Sequence, residues 1–339
     1  MAILFFASLK EILKDMLLNR LNICLKLLFL TLSIIIFTKP AWGGPVLTIM
    51  VDLDPDSPRL SQLNATTLKL AQKTGKTLSL DYLGTQPALA AIRTAQADPD
   101  GLTMGLLSLD NVVTMSLEGL MPFSPEDFLA VVLFHNEAPS LVTPLTDQND
   151  VGIELISLQG REEVTLVTKT KTPLDDPTLI ALDFFRALEL KVNIKELYDN
   201  PGIAIKQSPM EAFSLLKEGE FMALSQKDID ELTSSGANFK KVVTLGEDTG
   251  ANSSLQSLGI SPKVSSLSGF FYPAGTTELL AENTPQSLME IISELAQVTG
   301  KDSLFLPPIS YGPEAQALYD KETEARRELL SFYLLTTNE

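Results

Sequence analysis

The sequence contains very little of the side-chain chemistry that enzymes and metal sites commonly use. Among 339 residues there is one histidine, His135, and one cysteine, Cys24. His135 stands at the end of an apolar run and is expected to be structural. Without a second histidine or a nearby cysteine, neither a zinc ligand set nor a Cys–His nucleophile pair can be assembled. The acidic clusters lack the spacing of a calcium loop. We therefore expect no metal, no cofactor and no enzymatic activity.

The sequence also lacks a hydrophobic run long enough to span a membrane. Leu27–Thr38 holds twelve residues without a charge, whereas a spanning helix needs about 20 apolar residues. Arg20 and Lys26 precede this run, and the small-x-small tripeptide at 41–43 follows it. This organisation predicts a secretory signal peptide over residues 1–43, read from Met1 or from Met16. The alternative is an uncleaved N-terminal membrane anchor.

Basic residues are few beside acidic ones, 26 against 43, and the net charge is −17. Removal of residues 1–43 would take away five basic and two acidic residues and lower the net charge to −20. It would also remove Cys24 and Trp42, so the mature chain would have no disulfide and no thiol chemistry. Such a surface repels nucleic acid and anionic lipid. Its simplest role is to keep an exported protein soluble.

Strand-type and helix-type segments alternate along the rest of the chain. From Val46 onward the pattern is strand–helix–strand–helix–strand, which predicts a parallel α/β unit with right-handed crossovers. A second pattern begins near residue 144. The predicted strands are Val46–Val51, Thr77–Leu83, Leu102–Leu107, Leu129–Phe134, Ala138–Thr143, Glu163–Thr168, Val192–Leu197, Gly219–Ser225, Phe239–Leu245 and Ser268–Tyr272. The predicted helices are Leu60–Thr74, Ala88–Ala97, Asp176–Leu188 with Asp175 or Asp176 as its N-cap, Pro209–Lys217, Thr284–Thr299 and Pro313–Leu334.

The last predicted helix carries apolar residues that we expect to face a core: Leu318, Ala325, Leu329, Phe332 and Tyr333. The stretch Ala97–Thr103 (ADPDGLT), before the third strand, has a composition that strongly favours a turn. Proline there fixes one backbone angle, and glycine permits a positive φ.

Three segments together carry a resemblance to a known family. They are the turn at 97–103 with Leu120–Phe128 (LMPFSPEDF), the stretch Gly269–Thr277 (GFFYPAGTT), and the start of the last helix at Tyr311–Glu314 (YGPE). In order and spacing the sequence resembles the substrate-binding proteins of tripartite tricarboxylate transporters, the TctC or Bug family. In that family the corresponding motifs are a "pPDGYT" turn, an "lpYdP.kDF.pv" segment, an "aPaGTP" turn and an "sTPEEf" helix start. The turn is accordingly interpreted as a scaffold feature and not as a catalytic loop.

The resemblance implies a two-domain α/β periplasmic binding protein fold of type II. Domain 1 would comprise residues 44–143 and 266–339, and domain 2 the inserted residues 144–265. It also implies a monomeric periplasmic protein that captures a small polar solute in the cleft between the domains and delivers it to membrane permease subunits. Family ligands are small carboxylates, which backbone N–H groups at helix N-termini hold well.

The sequence departs from the family where the ligand should sit. The family's "PfapGGxxD" loop aligns with Asp52–Arg59 (DLDPDSPR), and its "GsaGnGs" turn aligns with a Thr-Lys-Thr-Lys-Thr-Pro stretch. Glycines let a backbone approach a ligand closely, so their loss changes or abolishes the usual anion site. Cationic and hydroxyl side chains replace them, which is compatible with a carboxylate or a zwitterion. The candidate ligand-binding residues are Asp54, Ser57, Arg59, Gly84, Thr85, Thr168, Lys169, Thr170, Lys171, Thr172 and Ser225.

Two functions therefore remain open from the sequence. The first is an exported solute-binding protein of the tripartite tricarboxylate transporter type. The second is a scaffold or sensor partner, derived from that family, which has lost small-molecule binding and binds another protein. Cationic residues that converge on a deep cleft would favour the first, and a cleft closed by salt bridges or apolar side chains would favour the second.

Overall fold

The computed structural model describes residues 46–52, 60–83, 87–145, 158, 161–168, 174–197, 209–245, 260, 263–277, 286–288, 290–291 and 308–336. The predictions for residues 1–43 lie outside these ranges. By their contacts, Val46–Glu339 form one compact unit. The domain boundaries drawn from the resemblance remain a prediction. No helix of the described residues has both the length and the apolar character that crossing a membrane requires.

The described residues form eleven strands and seven named α-helices. The strands are β1 (Val46–Val51), β2 (Thr77–Tyr82), β3 (Thr103–Ser108), β4 (Phe128–His135), β5 (Ser140–Pro144), β6 (Glu163–Thr168), β7 (Lys191–Glu196), β8 (Glu220–Leu224), β9 (Phe239–Thr244), β10 (Leu267–Pro273) and β11 (Pro308–Tyr311). The helices are α1 (Leu60–Thr74), α2 (Pro87–Ala95), α3 (Met115–Leu117), α4 (Asp176–Ala187), α5 (Pro209–Ser214), α6 (Gln226–Ser234) and α7 (Pro313–Thr336). A π-helix at Asp110–Thr114 runs directly into α3, and a 3₁₀ turn at Pro125–Asp127 leads into β4.

The strands form two sheets, of six and five strands, whose internal order is the same when β11 is left out. The first sheet runs β11-β4-β10-β3-β1-β2, and the second runs β7-β6-β8-β5-β9. In the first sheet β1 is parallel to β2 and β3, as predicted, and β10 is antiparallel to β3 and β4. In the second sheet β6 is parallel to β7 and β8, and β5 is antiparallel to β8 and β9. Each sheet thus has a reversed strand between its third and fourth parallel strands, β10 in the first and β5 in the second. In the first sheet β11 is also antiparallel to its neighbour β4.

The reversed strands β5 and β10 each follow, in the chain, a strand of the other sheet. The chain passes from β4 in the first sheet to β5 in the second, and from β9 in the second sheet back to β10 in the first. These are the two crossovers expected for a type II binding-protein fold, and the mixed α/β architecture with two sheets is confirmed.

Helix α7 packs against the hydrophobic clusters of both sheets. Ala315 and Tyr319, near its start, belong to a cluster with Phe271 of the first sheet. Leu329 and Leu330, near its end, belong to the cluster of the second sheet. The prediction that Phe332 faces a core is wrong, because its side chain is 52% exposed. Positions 315, 319, 326 and 330 follow the 3.6-residue period of one buried face, and position 332 falls outside it.

The motif segments meet at the amino ends of the parallel strands. Gly101 adopts φ 73°, and the Asp100 Oδ1 accepts the N–H of Leu102 at 2.8 Å just before β3 begins. The Ala274 N–H donates to the Asp127 carbonyl at 2.8 Å, and the Tyr319 hydroxyl donates to the Pro125 carbonyl at 2.7 Å. The turn at 98–101 therefore has a scaffold role, as interpreted from the sequence.

Candidate functional site

The structure describes only two of the eleven residues that the sequence proposes for ligand binding. Thr168 ends β6 and is 2% exposed. Ser225 follows β8 and caps α6, since its hydroxyl accepts the N–H of Asp228 at 3.2 Å. Because β6 and β8 are neighbouring parallel strands, both residues lie at the carboxyl edge of the second sheet. The others lie outside the described residues: Asp54, Ser57, Arg59, Gly84, Thr85, Lys169, Thr170, Lys171 and Thr172.

At the carboxyl edge of the first sheet, Asp52 joins the ends of β1 and β3. Its Oδ2 accepts the backbone N–H of Ser108 at 3.1 Å and an Asn111 Nδ2 hydrogen at 3.0 Å. Burial raises the pKa of the Asp52 carboxyl, although both hydrogen bonds oppose this shift. Sequence reasoning missed this role because it treated residues 52–58 as one loop. The only signal was an acid placed directly after a buried strand.

The carboxyl edges of the two sheets approach each other. Glu118, which follows α3 on the first sheet's side, accepts the backbone N–H of Leu174 at 3.1 Å through its Oε1. Leu174 precedes α4, the helix that comes after β6 in the second sheet. Asp175 is the N-cap of α4, as predicted, and its Oδ1 accepts the N–H of Thr178 at 3.1 Å. This N-terminal turn is capped by a carboxylate of the chain itself.

A buried arginine of α7 connects these edges. The Arg326 side chain is fully buried, and its Nη1 donates to the Asp176 Oδ1 at 2.6 Å and to the Thr114 Oγ1 at 2.7 Å. Its Nη2 donates to the Ser265 carbonyl at 2.9 Å, in the crossover that leads to β10. Buried charges need such pairing, because desolvation alone is strongly unfavourable.

Two further contacts extend this group. The Glu322 Oε2 accepts the N–H of Ser265 at 3.1 Å, and the Ser266 hydroxyl donates to the Asp176 Oδ2 at 3.3 Å. We call this set the junction: Asp110, Thr114, Glu118, Asp176, Ser265, Ser266, Glu322 and Arg326. It was not predicted, since the only sign of it is an arginine on the apolar face of the last helix.

The junction holds several carboxyls whose pKa is shifted upward by burial. Burial raises the pKa of Glu118 and of Glu322, and in Glu322 the Arg326 charge opposes the shift. Burial also raises the pKa of Asp110 well above its usual value, and the neighbouring Asp176 charge adds to this rise. For Arg326, burial would lower the pKa, but the charges of Asp176 and Glu322 outweigh burial and raise it.

A cavity of about 410 Å³ lies elsewhere, between the end of α4, the beginning of β7 and the end of α7. Its lining is mainly apolar and includes Leu182, Val192, Ile194, Leu329, Phe332 and Tyr333. It is at the amino end of β7, opposite the carboxyl edge where Thr168 and Ser225 lie. Among the described residues, no group of three or more His, Cys, Asp or Glu side chains has a geometry that could hold a metal ion.

The fold of the chain is similar to that of several solved solute-binding proteins. A TctC solute-binding protein from Polaromonas, without ligand, is 14% identical, with 87% of this chain and 99% of that chain covered and a TM-score of 0.64. MatC from Rhodopseudomonas palustris, with bound malate, is 17% identical over 84% and 98% of the two chains, with a TM-score of 0.52. Another R. palustris protein, with adipate, is 14% identical over 86% and 97%, with a TM-score of 0.54.

These likenesses show that the chain has the two-sheet α/β fold of periplasmic binding proteins. Within that class, its fold is that of the TctC-type and Bug-type proteins, and the resemblance drawn from the three motif segments is confirmed at this level. No protein-family model matches the sequence, and a search of curated proteins found no match.

Proposed function

We propose that the protein is an exported solute-binding protein, which captures a small polar ligand between its two sheets for a tripartite tricarboxylate-type transporter. The observation that carries the proposal is the approach of the two carboxyl edges, seen in the contact between Glu118 and Leu174. In α/β folds, ligands bind outside the carboxyl ends of the strands. In the chain, the predicted ligand residues follow β1 and β2, end or follow β6, and follow β8, so we expect their loops to lie at these carboxyl edges.

The ligand we propose is a small carboxylate or a zwitterion. Two proteins with the same fold hold malate and adipate. In this chain, Arg59, Lys169 and Lys171 would bind the acid end through charge-assisted hydrogen bonds, and threonine hydroxyls would add neutral ones. Asp54 would repel a carboxylate and attract an amine. We propose that the protein is located in the periplasm, to which its signal peptide directs it. It would be a monomer, and its partners would be membrane permease subunits.

One observation favours a second candidate function, a scaffold or sensor partner that binds another protein and no solute. The N-terminal turn of α4 is occupied by Asp175, and the following Asp176 is held by Arg326 at 2.6 Å. A helix N-terminus that has its own carboxylates offers less to a carboxylate ligand.

A thermal-shift screen of the purified protein against di- and tricarboxylates, amino acids and other polar metabolites distinguishes the two functions. A ligand at a hundred times its Kd stabilises a protein by roughly 2.7 kcal/mol, which raises the melting temperature measurably. We expect Lys169→Ala or Arg59→Ala to remove the shift. The exposed Lys227, on α6, provides the control Lys227→Ala, which should leave the shift unchanged. No shift from any compound, with folded protein, would favour the scaffold function.

A further inference from the structure

The junction contains more acidic groups than its single described cation can neutralise. Asp176 forms a direct ion pair with Arg326, and the Glu322 Oε2 lies 3.9 Å from the Arg326 Nε. Asp110 and Glu118 lie beside them. Each of these two has one buried carboxyl oxygen with no hydrogen-bond partner among the described residues, the Asp110 Oδ1 and the Glu118 Oε2. An ionised carboxylate in that position is strongly disfavoured.

The elements that meet here belong to both sheets. Asp110 and Thr114 are on the π-helix after β3, and Asp176 begins α4 in the second sheet's part of the chain. Ser265 and Ser266 are in the crossover to β10, and Arg326 is on α7. A change of charge at one of these side chains therefore acts on the contact between the sheets.

We propose that the junction is a proton-linked contact between the two sheets, which closes with a proton on Asp110 and loosens when that proton is released to solvent. The charged groups around Asp110 come from every neighbouring element. They are Asp175 and Asp176 at the start of α4, Glu118 after α3, and Arg326 with Glu322 on α7. The proposal concerns the apo protein and does not depend on any ligand.

The direction of the effect follows from these groups. Burial raises the pKa of Asp110, the charges of Asp176, Asp175 and Glu118 raise it further, and the Arg326 charge opposes them. The closed junction therefore binds a proton that the open or unfolded chain releases more readily. It is most stable at low pH and weakens as the pH rises through the elevated pKa. Ionised Asp110 would then face three other carboxylates at short range.

Spin-label distances between the sheets test the proposal. Leu68 on α1 is 62% exposed, and Glu231 on α6 is also exposed, so that Leu68→Cys with Glu231→Cys, in a Cys24→Ser background, reports across the junction. We expect a longer and broader distance distribution at about pH 8 than at about pH 5, which itself lies about one unit above the ordinary pKa of an aspartate. A control pair, Leu68→Cys with Tyr311→Cys, lies within the first sheet's part and should not change.

The variant Asp110→Asn fixes the uncharged state. We expect it to keep the short distance at both pH values and to melt above the wild type only at the higher pH. The exposed Asp230 provides the matched control Asp230→Asn, which should follow the wild type. If the wild-type distances are the same at both pH values, or if Asp110→Asn shows the wild-type change, the proposal is wrong. The wild-type measurement decides this even if the variant folds poorly.

Discussion

Loss of the buried Arg326 side chain should strongly lower the free energy of unfolding. Arg326→Met would leave the buried Asp176 carboxylate without its cation, and breaking a buried pair in this way costs about 3–5 kcal/mol. We expect a loss of this order in the free energy of unfolding, measured by urea denaturation. The adjacent Arg327 is a natural control, because it is 43% exposed and pairs with Glu324 and Glu126. Arg327→Met should cost less than about 1 kcal/mol.

Equal losses at Arg326 and Arg327 would contradict the assigned role of the buried pair. A second comparison isolates the pair itself. In the double variant Arg326→Met with Asp176→Asn, no charged Asp176 is left without its partner, and only Glu322 still loses its contact with Arg326. The loss should therefore be smaller than the sum of the two single losses. Additive losses would show that the two side chains do not interact.

Asp175 provides a separate test at the beginning of α4. Its carboxylate accepts the N–H of Thr178, which would otherwise have no partner within the helix. Asp175→Ala should lower the free energy of unfolding by about 1 kcal/mol. Asp175→Asn should keep most of the wild-type free energy of unfolding, because asparagine is an equally good N-cap. A similar loss for both variants in urea denaturation would assign the effect to charge and not to capping.

The N-cap of α4 was predictable from sequence, and the junction was not. Asp175 acts on Thr178, which is three positions away, so local pattern suffices. Arg326 acts on Asp176 and Thr114, which are 150 and 212 positions away. Nothing in the sequence around position 326 indicates those partners. Asp52 was missed for the same reason, since its partner Asn111 is 59 positions away.

At the scale of the element, the end of α4 holds a strained residue. Glu189 has φ 59°. Its N–H donates to the Arg186 carbonyl, and the N–H of Leu190 donates to the Phe185 carbonyl. This left-handed position after a helix is normally glycine, because a Cβ there costs about 1–2 kcal/mol. Glu189→Gly should therefore raise the free energy of unfolding, by about 1 kcal/mol after the greater freedom of glycine in the unfolded chain is subtracted.

The control for this position is Glu189→Ala, which removes the carboxylate but keeps the Cβ. It should bring no gain, and chemical denaturation of the two variants side by side measures the difference. A gain for alanine as large as that for glycine would assign the effect to the removed charge. No change for glycine would mean that the backbone strain is relieved in another way.

Hydrophobic pattern predicted the regular elements well. β1, α1 and β6 begin and end at the predicted residues, and α4 differs by one residue at its end. The π-helix at Asp110–Thr114 was not predicted, because its β-branched residues carry no periodicity that distinguishes it from an extended segment. The predicted helix at 284–299 falls mostly outside the described residues.

At the scale of the whole molecule, α7 makes the two sheets depend on each other. It contributes Tyr319 to the cluster of the first sheet and Leu329 to the cluster of the second. We expect a single unfolding transition in calorimetry, with equal calorimetric and van't Hoff enthalpies. Leu329→Ala should lower the stability by about 2–5 kcal/mol and shift that one transition as a whole. Two transitions, with only one of them shifted, would show that the sheets unfold independently.

The fold class was predictable because the motif segments belong to the scaffold. They lie at the amino ends of the strands, where the turn at Gly101 and the contact between Ala274 and Asp127 serve packing. Of the candidate ligand residues, the described Thr168 and Ser225 lie at the opposite edge. Loops that follow such strand ends can vary without disturbing that packing. The resemblance in sequence therefore predicted the fold better than it predicted the chemistry of the ligand site.

The central position of β10 has a consequence for how the chain acquires its structure. This strand lies between β3 and β4, yet the entire second sheet separates it from β4 in the chain, and the contact of Asn136 with Ser266 joins residues 130 positions apart. While the polypeptide is being synthesised, β10 cannot join β3 to β4 until about four fifths of the chain exists. Such long-range pairing slows folding. A nascent chain of this design is expected to stay unfolded for longer, and an unfolded chain is the form that the proposed export through a narrow translocation channel would need.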